Sequence, residues 1–143
     1  AGLLIQESAR AAGIEINLVR EPNDGYWDNV WLKKPWSLCY WGGRPVADMF
    51  MSVSLAADAA WNDTRWKNAR FNELLLAARA ETDDAKRAAM YAEMQQLVHD
   101  DGGQMVMMFA NYVGALSSKV AHGDFNSDND FDGGYMYDRW WFA

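Results

Sequence analysis

The chain of 143 residues has one cysteine, Cys39, which excludes an internal disulfide framework and a Cys-x-x-Cys zinc site. It is short of positive charge. Thirteen Lys and Arg against twenty Asp and Glu leave a formal charge of −7, the wrong sign for a face that binds nucleic acid. No apolar run approaches the roughly 20 residues of a membrane-spanning helix. The opening Ala1–Arg10 has no basic leader and no cleavage-type site,. Leu4, Ile5, Ser8, Ala9 and Ala12 already run at helical spacing with no capping residue ahead of them, so the chain is expected to be the inside of a longer protein. His99 and His122 have no metal-ligand spacing, and His99 is expected to serve a helix end,. Ser37-Leu38-Cys39 lacks the flanking glycines of a nucleophile elbow, and Gly42-Gly43 lacks the third glycine of a dinucleotide fingerprint,. With no triad-like set, neither an enzyme nor a cofactor is expected.

What the chain has in quantity is apolar and aromatic surface. Half of it is apolar and 23% charged, a globular balance, and a domain of this size buries about 70% of its unfolded surface. Eight Trp, six Tyr and six Phe suit a flat-ligand pocket or an aromatic core equally. Gly13 stands where a left-handed residue closes the first helix,. Ile14, Ile16 and Leu18 alternate with Glu15, Asn17 and Val19, which predicts a half-buried strand,. Pro22 to Gly25 form a turn, and Tyr26, Trp27, Val30 and Trp31 follow at helical spacing. Trp36 to Trp41 read as a second strand, with Cys39 inside it as a buried, inert thiol,.

Residues 46–68 have no clean period. Phe71, Leu74, Leu75 and Ala78 mark the stripe of a helix from about Asn68 to Ala80. The next helix is expected to be capped by Thr82, to pair Asp83 with Arg87, to bury Tyr91, Met94, Leu97 and Val98, and to stop at Gly102-Gly103,. Gln104–Phe109 and Tyr112–Ser117 read as extended, and the closing Trp140-Trp141-Phe142 is too apolar to stand in water. The alternation predicts an α/β class, a mixed sheet flanked by helices, without internal repeats.

Two clusters have chemical interest. From His122 to Asp138 there are five Asp, three Gly and no Lys or Arg, a solvated loop by composition. Within it Asp128-Asn129-Asp130-Phe131-Asp132-Gly133 opens like an EF-hand calcium loop, but the twelfth position, which needs a bidentate Glu, is Arg139,. An exposed polar loop without metal is the expectation, with cation binding by residues 124–132 left open. The second cluster, Trp41-Gly42-Gly43-Arg44-Pro45, sets a flat ring, a permissive backbone and a cation at a strand end, where open α/β sheets hold ligands. Arg44 has the geometry to fork onto a carboxylate or phosphate, and Trp27 and Trp31 offer walls for the same crevice. The alternative is that these tryptophans are core and Arg44 a surface residue after a turn.

Gln6–Val19, Trp36–Pro45, Trp61-Asn62-Asp63-Thr64, Phe71-Asn72-Glu73-Leu74-Leu75, Ala77–Glu81 and Lys86-Arg87 through Gln95 follow one another in a specific order. The rhythm F-x-x-L-L-x-x-A, then D-x-x-K-R-x-x-x-Y-x-x-x-Q, a Gly-Gly stop and an apolar strand resembles the C-terminal quarter or so of an extracytoplasmic solute-binding protein of the peptide and oligopeptide type (family 5), the receptor of an ABC importer. No single piece is specific; the ordered set carries the resemblance, over most of the chain.

The resemblance implies a fragment of a two-lobed periplasmic-binding-protein-like fold. Residues 1–111 would be part of the second, C-terminal lobe, and residues 112–143 the crossover and tail returning to the first. It implies a periplasmic location and transport without catalysis. A peptide, opine or sugar derivative would be held between the lobes, with the permease subunits and the missing N-terminal lobe as partners. The excised piece would be able to pair as a homodimer. The implied ligand-binding residues are Trp27, Trp41, Gly42, Gly43 and Arg44. Peptide-binding members carry at the crevice loop an Asp that holds the ligand's ammonium. This chain has Arg44 there, so the solute is expected to present an acceptor group; Asp48, four residues on, is the nearest substitute carboxylate. The competing reading is a stand-alone protein–protein interaction domain with an exposed aromatic surface.

Overall fold

Helical spacing of apolar residues yields α1, Gly2–Ala11, in a computed structural model that describes residues 1–126 and 130–143. Gly13, at φ 77°, closes it as expected. Its N–H reaches Arg10 O at 3.0 Å while the Ile14 N–H reaches Ala9 O at 2.9 Å, the paired bonds of a Schellman closure. The next segment has no regular secondary structure, and Gln6 Nε2 donates to Ile16 O at 2.7 Å. A single turn, α2 (Tyr26–Asn29), leads to the buried Val30. The Tyr26 hydroxyl donates to Leu38 O at 2.8 Å. These elements form a first unit, Ala1–Tyr40; a second comprises Trp41–Ala143.

The second unit is built on α3 (Ala47–Ser54), α4 (Ala69–Ala80) and α5 (Asp84–Asp101), with α4 packed on both of the others. The α4 stripe is buried as its spacing predicts: Phe71, Leu74, Leu75 and Ala78 meet Met51, Leu55 and Ala56 on one side and Met94 on the other. Tyr91, Leu97 and Val98 lie half-buried at the edge of this core. Asn68 caps α4 by accepting from the Phe71 N–H at 3.0 Å. The cap of α5 is Asp83, not Thr82: its carboxylate accepts from the N–H groups of Ala85 and Lys86 at 2.9 and 3.1 Å, where the helix dipole favours negative charge. Arg87 accordingly pairs with Asp84 rather than Asp83 and donates to Glu81 O. At the far end α5 gives way to Gly102, where a Cβ would stand 2.4 Å from Val98 O.

The expected mixed sheet is corrected. Among the described residues there is one antiparallel ribbon, β1 (Val120–His122) with β2 (Trp140–Phe142), in the register Val120↔Phe142, Ala121↔Trp141, His122↔Trp140. The alternating segments 14–19, 36–41, 104–109 and 112–117 form no strand. Alternation fixes only which way side chains point, whereas a strand needs a second backbone to complete its ladder. The protein is a small mixture of helix and strand, compatible with an α/β class in that coarse sense. The closing segment pairs with β1 through the β2 backbone, but the Trp141 and Phe142 side chains stay exposed, against the expectation that they are too apolar to stand in water. Two short turns, α6 (Asp130–Gly133) and α7 (Met136–Arg139), lead into β2.

Candidate functional site

The loop from Trp41 to Arg44 begins the second unit. The half-buried Trp41 ring meets Phe50 edge-to-face at 5.4 Å and Trp61 at 6.2 Å. Gly42 and Gly43 are exposed. Arg44 curls back over them, Nη1 donating to Gly42 O and Gly43 O, both at 3.0 Å. One nitrogen of the guanidinium therefore holds the loop. Its Nε and Nη2 have no partner among the described residues, and they form the edge of the fork that suits a carboxylate or phosphate. Trp41, Gly42, Gly43 and Arg44 are thus one continuous feature. Trp27 belongs to the first unit, where its ring meets Tyr26, Trp31 and Tyr40.

Asp48 is committed elsewhere. Its Oδ1 accepts from Arg79 Nε at 2.8 Å, while Arg79 Nη2 also donates to Ser52 Oγ. The hydrogen bond to Asp48 raises the Arg79 pKa above its ordinary value, and burial pushes the nearby Tyr91 phenol up, with Asp48 adding to it. A carboxylate already neutralised by a guanidinium is a poor partner for an ammonium group. Cys39 is half-buried rather than buried. His99 lies in the last turn of α5, where its Nδ1 is 2.9 Å from Asp100 Oδ1, and that hydrogen bond helps to hold the Asp100 carboxyl below its usual range.

The acidic stretch differs from a plain solvated loop. The calcium-like opening at Asp128, Asn129 and the Asp130 side chain lies outside the described residues. Asp132, however, has only 2% of its side chain exposed. Its Oδ1 accepts from the Asn126 N–H at 2.5 Å and from Arg139 Nη1 at 3.1 Å; its Oδ2 accepts from the Trp140 indole at 3.2 Å. Arg139 also donates to Asp124 O at 2.6 Å. Both carboxylate oxygens are occupied by protein donors, so Asp132 serves the fold. No spacing rule marks these partners, which lie six, seven and eight residues from it. Among the described residues no group of three His, Cys, Asp or Glu is placed to hold a metal ion. Compared with models of known protein families, with curated proteins and with solved structures, the chain matches none.

Proposed function

We propose that the chain is part of the second lobe of an extracytoplasmic solute receptor serving an ABC importer, with its site at Trp41–Arg44 and no catalytic role. The observation that carries this reading lies just beyond the α4–α5 pair. After the Gly102-Gly103 stop, no charged residue occurs until Lys119. The run carries no helix or strand before Lys119, and Phe109 and Val113 stand 95% and 92% exposed. Apolar side chains held in water over this length suit a segment that crosses to another lobe and is covered there. The engaged Asp48 and the open edge of Arg44 favour a solute that presents a carboxylate or phosphate: an acidic peptide, an opine or an acidic sugar derivative. Calorimetry of the intact protein against a panel of these solutes tests the reading. Saturable binding to one class supports it; a folded protein that binds none of them contradicts it.

The same exposed residues favour a second reading, a stand-alone domain that grips a protein partner. The size of the natural product separates the two. A mass several times 16.2 kDa supports the receptor, and a mass close to that value supports the interaction domain.

A further inference from the structure

The first unit carries a ring cluster centred on Trp27. Tyr26, Trp31 and Tyr40 approach it with centroid separations of 6.0, 5.6 and 5.3 Å and interplanar angles of 83°, 81° and 82°. All three are close to perpendicular to Trp27, so the rings make corners rather than a stack. The cluster is also braced: the Tyr26 hydroxyl, donating to Leu38 O, fixes α2 against the segment that bears Tyr40. Yet its surface is not spent on a core, because Tyr40 is 78% exposed and Trp27 43%.

A cation is attracted to an aromatic face within about 6 Å of the ring centroid. Two perpendicular rings with centroids 5.3 Å apart can both lie within that reach of a single point in their corner. Around the turn the charges balance, Arg20, Lys33 and Lys34 against Glu21, Asp24 and Asp28, so the attraction for a cation comes from the ring faces themselves. A methylated ammonium offers both positive charge and apolar surface, the combination that aromatic corners recognise.

We propose that the Trp27–Tyr40 corner is a binding site for a methylated ammonium group. This site makes no use of Arg44 and requires no acceptor on the ligand, so it stands or falls separately from the proposed solute site at Trp41–Arg44.

Titrating choline and tetramethylammonium into the 143-residue chain, followed by tryptophan fluorescence and ligand NMR line broadening, tests the proposal. The control is 3,3-dimethyl-1-butanol, which has the shape of choline without the charge. Choline is expected to saturate, with the neutral alcohol fivefold or more weaker. Tyr40→Leu and Trp27→Leu are expected to weaken choline to a similar degree, while Arg44→Ala leaves it unchanged. Tyr40 projects into solvent, so its variant decides the matter if Trp27→Leu fails to fold. Equal binding of the neutral alcohol, unchanged affinity in Tyr40→Leu, or a neutral sugar saturating where choline does not would each overturn the proposal.

Discussion

The Trp140 indole donates to Asp132 Oδ2 at 3.2 Å, joining the first residue of β2 to a carboxylate with only 2% of its side chain exposed. The other oxygen of Asp132 takes Arg139 and the Asn126 N–H. Phe131 and Asp132 themselves adopt left-handed φ values of 49° and 61°, a conformation that non-glycine residues hold only when neighbours over-determine it.

Asp132→Ala is therefore expected to cost about 1–3 kcal/mol, because it removes the shared acceptor of three part-buried donors, one of them charged,. Amide hydrogen exchange checks where the loss falls. Protection at Val120–His122 and Trp140–Phe142 should drop while α4 and α5 keep theirs; uniform protection in the variant would contradict the role given to Asp132.

The α4 core makes a sharper contrast. Phe71 is fully buried, whereas Leu76 on the same helix is 65% exposed. Phe71→Ala should destabilise by about 3–5 kcal/mol in urea unfolding, and Leu76→Ala by less than about 0.5 kcal/mol. Similar losses for the two would place the core elsewhere.

At the start of α5, Asp83→Ala is expected to cost about 1 kcal/mol through loss of the cap, with Thr82→Ala close to neutral. Thermal unfolding of the two variants distinguishes them. The reverse order would restore Thr82 as the capping residue.

The α4 stripe, the Gly13 closure and the Gly102 stop are legible in the sequence because each depends on residues within a turn or two of one another. The α3 helix is not legible: the burial of Met51, and of Leu55 and Ala56 just beyond the helix, depends on packing against α4 rather than on a regular local period. The alternation at Ile14–Leu18 and Trp36–Trp41 does not encode a ladder, since nothing within a segment specifies whether a second backbone lies beside it. For the site, the contiguous loop Trp41–Arg44 stands out directly. The pairing of Asp48 with Arg79 spans 31 residues, and the approach of Trp27 to Tyr40 joins two segments that share no period.

Acid should weaken the fold through Glu93. Arg70 donates to both of its carboxylate oxygens, Nε at 2.7 Å and Nη2 at 3.1 Å, and holds the Glu93 carboxyl below its ordinary value. A carboxyl lowered in the folded state stabilises the fold above its unfolded pKa, and that contribution is lost as pH falls through the lowered value. Stability is thus expected to decline from about pH 5 downward, and Arg70→Gln to flatten that decline. Both side chains are substantially exposed, so added salt should shrink the difference. Parallel pH profiles for the two proteins would contradict this assignment.

The most direct test of the solute-binding account is a calorimetric titration of the intact protein with its tightest acidic solute, repeated after Arg44→Ala. Loss of a charge-assisted hydrogen-bond pair at the open edge of the guanidinium should weaken binding about tenfold or more. Unchanged affinity in the variant would contradict the placement of Arg44 at the ligand.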